Sequence, residues 1–316
     1  MAKMYKKDFN YWRNYYSDDI VHRAEALRRE HTIESTGVQI HIDVYEQPDP
    51  QSSPTVIFNH GSLVYSRMFT HLALDIHALN YNVVMADQRG QGLSGGKRGD
   101  YTVPECVQNI VDVCYWAKDR YPSSLFISGG SIGGAYSYYA AASGAPVNAI
   151  ASVNLFNFGI HRDALDLSRY AWQTKIPGAG AWNAILFKML GRLFGNVKIP
   201  ILLVGKFEKV MAKGQKAYDL MWSRDPNVER SVSLRYTASN FDNPPAIPFE
   251  QNRIPILVMN QSNDRMIPPE MTKRNYDALS GDKKYVVLEG FEHWSNKPEF
   301  WETVVTETHN WFQKYN

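Results

Sequence analysis

The sequence has few cysteines and no long apolar run, and each shortage excludes a class of protein. Cys106 and Cys114 are the only cysteines among 316 residues, and a helix would separate them by roughly 12 Å, too far for a disulfide bond. No segment is long and apolar enough for stable membrane insertion. Residues 1–7 are basic with no apolar stretch after them, which predicts no signal peptide. We therefore expect a cytoplasmic protein with free thiols.

Excess charge and cofactor motifs are missing as well. The 34 basic and 32 acidic residues leave a net charge of +2, which gives no electrostatic reason to expect a nucleic-acid partner. The histidines and cysteines lack spacings such as H-E-x-x-H or C-x-x-C, so no metal site is predicted. The glycines at 129–133 are not followed by Lys-Ser or Lys-Thr, which excludes a P-loop. We predict no metal and no cofactor, and composition leaves the oligomeric state open.

The proportion of hydrophobic residues, 44%, is typical of a globular protein. Strand-like runs alternate with helical segments along the chain. This alternation predicts an α/β fold, a mostly parallel sheet with helices on both faces. The predicted divisions are an N-terminal helical extension at 1–31, a first core part at 32–154, a largely helical cap insertion at 155–250 and a second core part at 251–316.

The sequence of the predicted cap leaves alternatives for its secondary structure and for its role. Residues 211–222 are predicted to be helical, whereas the apolar run at 199–204 fits a strand, a helix or a buried loop equally well. Its aromatic side chains favour either an apolar substrate pocket or simple packing onto the body. They are Phe156, Phe158, Trp172, Trp182 and Phe187.

Residues 125–134 organise the rest of the chain. They read Leu-Phe-Ile-Ser-Gly-Gly-Ser-Ile-Gly-Gly, which is a strand-like run, a G-x-S-x-G motif and the start of an Ala-rich helical segment. Glycines on both sides of the serine allow a helix to pack closely against the strand while the hydroxyl stands clear of the sheet. This context predicts Ser131 as a nucleophile.

Two more reactive side chains follow predicted strands. Asp264 comes after the first strand beyond the insertion and His293 after the last strand, and carboxyl ends of parallel strands meet at one edge of a sheet. An imidazole can take the proton of a serine hydroxyl, and a carboxylate can orient that imidazole. We predict Ser131, His293 and Asp264 as a catalytic triad, with Ile132 and Ser62 donating backbone N–H groups to an oxyanion.

Other residues remain as alternatives for these roles. Asp242 and Asp282 compete with Asp264 for the acid, and His161 competes with His293 for the base. His60 is predicted to orient the oxyanion loop, and Arg89 to stabilise its own loop, with substrate binding as the alternative for Arg89.

With these motifs assembled, the chain resembles the α/β-hydrolase superfamily from about residue 32 onward. The nearest group is the branch of monoacylglycerol lipases, lysophospholipases and serine aminopeptidase-like enzymes. The resemblance rests on His60-Gly61-Ser62, the Asp-x-Arg-Gly-x-Gly-x-Ser segment at 87–94 and the elbow at 129–133. That branch usually carries His before the nucleophile, where this chain has Gly130. The resemblance implies an α/β-hydrolase fold with a cap.

The predicted function is hydrolysis of a carboxylic ester, lipid-like or bulky and apolar, or of a lactone, through an acyl-enzyme. The partner is then a small-molecule ester. Amidase or peptidase activity would use the same residues, and a non-catalytic small-molecule receptor on the same fold is the alternative of another class. Members that resemble this fold as dehalogenases or epoxide hydrolases use Asp at the elbow, which disfavours those activities here.

Overall fold

In the computed structural model, which describes residues 8–210 and 224–316, the strands divide between a large sheet and a short ribbon. The strands are β1 (Arg28–Ser35), β2 (Val38–Tyr45), β3 (Thr55–Asn59), β4 (Asn82–Ala86), β5 (Leu125–Gly130), β6 (Ala149–Val153), β7 (Lys198–Pro200), β8 (Ser231–Ser233), β9 (Ile256–Gln261) and β10 (Lys283–Leu288). The eight-stranded sheet has the order β1-β2-β4-β3-β5-β6-β9-β10, and β7 pairs with β8. Only the β1–β2 and β2–β4 pairs in the large sheet are antiparallel. The predicted mostly parallel sheet is confirmed.

Helices cover both faces of this sheet. They are α1 (Asp18–Leu27), α2 (Thr70–His77), α3 (Val103–Arg120), α4 (Ile132–Ala142), α5 (His161–Leu167), α6 (Ala179–Phe194), α7 (Leu234–Ser239), α8 (Pro269–Ala278) and α9 (Pro298–Phe312). The alternation of side chains along β5 shows how the faces are shared. Phe126 stacks on Phe312 of α9 at 4.4 Å between ring centroids, and Ile127 belongs to the core that α3 and α4 share. Both faces are apolar, so the central strands read as continuous hydrophobic runs.

The register of the parallel strands aligns their carboxyl ends. Asn59 at the end of β3 lies opposite Gly129, and Gly130 lies opposite Val153 at the end of β6. Leu288 at the end of β10 lies opposite Gln261 at the end of β9. The loops that leave these strands therefore emerge at the same edge of the sheet, where open α/β sheets bind ligands.

The N-terminal region is partly helical. A 3₁₀ turn at Tyr11–Tyr15 precedes α1, and β1 begins at Arg28, four residues before the predicted start of the core. Residues 28–31 pair with β2, but their polar side chains, Arg-Arg-Glu-His, give no apolar alternation from which a strand could be predicted. Trp12 is fully buried, which fixes this region onto the face that carries α2.

The chain between β6 and β9 contains α5, α6, α7 and the β7–β8 ribbon. The apolar run at 199–204 contributes to β7 and then forms a 3₁₀ turn at Ile201–Leu203. The helix predicted at residues 211–222 lies outside the described residues. Among the described residues, no helix is long and apolar enough to cross a membrane.

Candidate active site

Ser131 occupies the sharp turn between β5 and α4. Its backbone angles, φ 57° and ψ −127°, lie in a region that residues with a side chain rarely adopt. The neighbouring glycines are required by contact, because a Cβ on Gly129 would lie 2.4 Å from the Gly133 carbonyl oxygen, and one on Gly133 would lie 2.1 Å from that of Asn59. Ile132 is the first residue of α4, so its N–H group has no acceptor four residues earlier within the helix and lies directly after the serine.

Asp264 and His293 meet across the loops that follow β9 and β10. His293 Nδ1 lies 2.7 Å from Asp264 Oδ2, and both side chains are almost completely buried. Asp264 Oδ1 accepts hydrogen bonds from the backbone N–H groups of Met266 and Ile267 at 2.9 and 2.8 Å. A carboxylate held in this way accepts a hydrogen bond from Nδ1–H, which leaves Nε2 of the ring as a proton acceptor.

The predicted oxyanion loop lies directly beside the nucleophile. A Cβ built on Gly61 would lie 3.5 Å from Ser131 Cβ and 4.0 Å from its Oγ, which is van der Waals contact and shows how close the loop comes to the hydroxyl. Ser62 follows, and its hydroxyl lies 3.4 Å from the Tyr236 hydroxyl of α7. Ser62 and His293 both line a cavity that Ser131 opens into.

His60 holds this loop and does not face the cavity. Its Nδ1 lies 2.8 Å from the Gly61 carbonyl oxygen, and its Nε2 accepts a hydrogen bond from the Gln88 backbone N–H at 2.9 Å. Burial lowers the pKa of His60, which keeps the ring neutral. Both ring nitrogens are thus occupied, in agreement with the predicted orienting role.

The charged loop after β4 is also structural. Asp87 accepts hydrogen bonds from the Ser66 and Leu93 backbone N–H groups, each at 2.8 Å. Burial raises its pKa, but hydrogen bonding and charge from His41 outweigh burial and hold the pKa well below its usual range. Arg89 donates to Thr36 in the turn between β1 and β2, which fits loop stabilisation and not substrate contact.

The competing acids and base lie elsewhere. His161 contacts Asp242, which also pairs with Lys188 on the surface of the insertion, and none of these residues lines a cavity at Ser131. Asp282 accepts a hydrogen bond from the hydroxyl of Tyr315.

Two supporting residues were not predicted from the sequence. Asn154 follows β6 and donates to Asp264 Oδ2 at 3.3 Å, and Gln261 at the end of β9 donates to the His293 carbonyl oxygen at 2.9 Å. Asn154 has φ 69°, a conformation that asparagine tolerates better than most residues. An Asn directly after a buried strand was the available signal.

Two apolar cavities meet at Ser131. We call the first the helix-side chamber, which lies against α2 and α9 and is lined by Phe69, Leu72, Phe300, Trp301, Val304 and His293. The second is the cap-side cavity, lined by Phe156, Leu165, Asn183, Phe187 and Tyr236. Of the aromatic residues singled out from the sequence, only Phe156 and Phe187 line it, whereas Trp172 and Trp182 are 60% and 72% exposed.

Glu30, His41 and Asp43 form the one group of described residues whose side chains could converge on a metal ion. Arg67 already pairs with both carboxylates, at 2.9 Å from Glu30 and 2.8 Å from Asp43. A buried guanidinium supplies the positive charge there, so the group fits an ion-pair network better than a metal site.

Comparison with known proteins agrees with this geometry. The family model described as serine aminopeptidase, S33 matches residues 50–295. An uncharacterised 31.7 kDa Escherichia coli protein from the traX-finO intergenic region is 25% identical over 278 residues, which cover 83% of this chain and 91% of that protein.

Solved structures share the fold at low identity. Monoacylglycerol lipase from Paleococcus ferrophilus has a TM-score of 0.70 at 22% identity, covering 88% of this chain and 99% of the lipase. A thermostable carboxyl esterase from Bacillus coagulans has a TM-score of 0.71 at 16% identity, covering 91% and 98%.

Proposed function

Because the chain belongs to the serine aminopeptidase S33 family of α/β-hydrolases, we propose that it hydrolyses carboxylic esters with apolar substituents through Ser131, His293 and Asp264. The contact between His293 Nδ1 and Asp264 Oδ2, at 2.7 Å, carries this proposal, because it prepares an imidazole for proton transfer beside the cavity that Ser131 opens into.

The reaction has two steps. In the first, Ser131 Oγ attacks the ester carbonyl while His293 Nε2 takes its proton, and the proton then passes to the leaving alkoxide oxygen as the C–O bond breaks. In the second, water loses a proton to His293 and attacks the acyl carbon. The bond from that carbon to Ser131 Oγ then breaks, Oγ takes the proton back from His293, and the acid leaves. The backbone N–H groups of Ile132 and Ser62 stabilise the oxyanion in both steps.

The lining of the site favours an ester over a peptide with a free amino terminus. An aminopeptidase needs a carboxylate to hold the substrate ammonium group. No Asp or Glu lines either cavity at Ser131 in the parts of the chain that the structure describes. Both cavities are instead lined mainly by aliphatic and aromatic side chains, which suits apolar groups on both sides of the ester bond.

The cysteines support a reducing location such as the cytoplasm, as composition predicts. Cys106 and Cys114 are buried and free. Burial raises the pKa of Cys106 to about 12, so that thiol stays protonated and unreactive.

Purified protein tests the proposal directly. We expect a burst of p-nitrophenol from p-nitrophenyl butyrate and labelling of Ser131 by a fluorophosphonate, with both lost in Ser131→Ala. His293→Ala should lower kcat/KM by about 10³-fold or more, because triad members act as a unit. His161→Ala, which removes a histidine paired with an aspartate away from both cavities, is the matched control and should stay within about twofold.

The outcomes separate the alternatives. Turnover of an aminoacyl p-nitroanilide in preference to every ester would replace the esterase with a peptidase. An unlabelled Ser131 together with no turnover of any ester would favour a small-molecule receptor.

A further inference from the structure

The two cavities at Ser131 are not equivalent, because His293 lines only one of them. The imidazole belongs to the lining of the helix-side chamber and is absent from that of the cap-side cavity. Proton transfer from this ring to the leaving oxygen requires hydrogen-bonding reach. In an ester that spans Ser131, the leaving oxygen must therefore be on the side of the helix-side chamber.

We propose that the helix-side chamber binds the alcohol half of the substrate, that this alcohol is an alkyl or aryl alcohol, and that the cap-side cavity holds the acyl half. This inference rests on the proposed esterase function and deepens it. In the acylation step the bond from Ser131 Oγ to carbonyl carbon forms, the bond from that carbon to the alkoxy oxygen breaks, and the proton on His293 passes to the departing alcohol.

The chemistry of the chamber selects an apolar alcohol over a polyol. Phe69, directly before α2, and Leu72 on α2 line it together with Phe300 and Val304 of α9. The amide nitrogens of its two amide side chains are already engaged, since Asn154 donates to Asp264 and to Gln261, and Gln261 donates to the His293 carbonyl oxygen. A glycerol leaving group would lose its hydrogen bonds to water there and gain few in return, which is costly for buried hydroxyls.

Gly130 sets the room available in this chamber. A Cβ at Gly130 would meet no atom within 4 Å, whereas one at Gly129 or Gly133 would clash with backbone. Gly130 also lines the chamber, directly before the nucleophile. A side chain at residue 130 would therefore project into open space where the alcohol is proposed to bind.

Matched esters test this assignment. With the acyl group held constant, wild-type kcat/KM for benzyl butyrate should exceed that for glycerol monobutyrate at least tenfold. With the alcohol held constant, methyl esters from acetate to octanoate define the acyl profile. Gly130→Leu should lower kcat/KM for benzyl butyrate at least tenfold relative to methyl butyrate and leave the acyl profile unchanged, because each excluded methylene costs about fourfold in binding.

Gly130→Ala adds one methyl group into open space and should shift the same ratio in the same direction by less, which keeps the test informative if the leucine variant folds poorly. A shortened acyl profile in Gly130→Leu would overturn the assignment of the two halves, and equal turnover of glycerol monobutyrate and benzyl butyrate would overturn the apolar alcohol. In both results fluorophosphonate labelling of Ser131 persists. Loss of labelling and of all ester turnover in wild type would instead remove the esterase itself.

An independent observation concerns the outer face of α6. Trp182, Ile185, Leu186, Met189 and Leu193 recur at helical spacing, and their exposure ranges from 45% to 72%. The opposite face of α6 packs tightly on the fold, because Gly191 lies against Ala238 of α7 and Phe187 stacks on Phe241. Nearby Trp172, Ile176, Val197, Leu202 and Leu203 are exposed as well. We call this surface the outer cap face.

The outer cap face also carries exposed positive charge. Residues 167–207 contain no Asp or Glu. Three of their cations are already engaged or buried, since Arg169 pairs with Glu208, Lys188 pairs with Asp242 and Lys206 is buried. Lys175, Arg192 and Lys198 are exposed. Two copies joined symmetrically through this face would bring these like charges together. We infer that the outer cap face docks on a lipid surface with anionic headgroups, with apolar side chains in the interface and cations at the phosphates.

Co-sedimentation with vesicles tests this docking. We expect binding to phosphatidylcholine mixed with phosphatidylglycerol, weaker binding to phosphatidylcholine alone, and at least a tenfold loss of partitioning in Trp182→Ser combined with Leu193→Ser. Tyr115→Ser, which changes a side chain that is 51% exposed elsewhere on the fold, is the matched control and should bind as wild type does. Hydrolysis of a water-soluble ester should be unchanged in all variants. No vesicle binding, or a dimer that the double variant dissolves, would overturn the lipid assignment.

Discussion

Replacing Asp264 with asparagine is the sharpest probe of the site, because the surrounding hydrogen bonds fix how the new amide must sit. Oδ1 accepts from the backbone N–H groups of Met266 and Ile267, and only an oxygen can do this. The amide nitrogen must therefore take the place of Oδ2, which lies 2.7 Å from His293 Nδ1. It then donates to Nδ1 and moves the ring proton to Nε2, the atom that must accept the proton of Ser131.

The expected loss follows from this wrong tautomer. Such a substitution lowers kcat by about 10⁴-fold in a serine triad, or about 5.5 kcal/mol of transition-state stabilisation. We expect this loss in steady-state hydrolysis of p-nitrophenyl butyrate by Asp264→Asn, with a thermal midpoint close to that of wild type, since the side chain keeps its shape and both backbone contacts. Asp242→Asn, which changes the aspartate paired with His161, serves as the control. Retention of more than a tenth of wild-type activity by Asp264→Asn would refute the orienting role.

Two further predictions concern stability. Gly133→Ala should lower the free energy of unfolding by about 3 kcal/mol, because its Cβ would lie 2.1 Å from the Asn59 carbonyl oxygen, whereas Gly130→Ala should be nearly neutral in the same urea titration. His41→Gln should cost more stability at pH 5.5 than at pH 8.5. Burial lowers the pKa of His41, but hydrogen bonding and charge from Asp87 outweigh it and raise the pKa above its usual value. The stabilisation is therefore fully present below the unfolded pKa and is lost as the pH rises through the folded one. An equal cost at both pH values would contradict this coupling.

The sequence could predict the parts of the site that depend on local pattern. Ser131 is bracketed by glycines that the strand-to-helix turn requires, and the fold follows from buried strands that alternate with helices. Asp264 and His293 could be proposed because each follows an apolar run, and parallel strands bring such positions to one edge. The partners of these residues could not be predicted. Asn154 and Gln261 are brought to Asp264 and His293 by the register of neighbouring strands, and each pair is more than thirty residues apart in the sequence.

Tertiary packing determines which apolar side chains line a cavity and which are exposed, and the sequence alone does not show this. Trp182 is an aromatic residue that could line a pocket, but Ala184 and Gly191 of α6 face the fold, so Trp182 on the same helix points outward. Hydrophobicity at helical spacing predicts one apolar face, and it does not tell which side of the helix meets protein. The helix-side chamber was equally hidden, since its walls come from α2 and α9, which are separated by most of the chain.

The position of the helix-side chamber beside His293 also bears on how the proposed acyl-enzyme would be resolved. Once the alcohol has left, water would reach the acyl carbonyl from this chamber, while the acyl chain would stay in the cap-side cavity. An added alkyl alcohol would enter the same space with the same geometry and compete with that water. Under the proposed mechanism the protein would then transfer acyl groups in proportion to the alcohol supplied, and new esters would form at the expense of free acid.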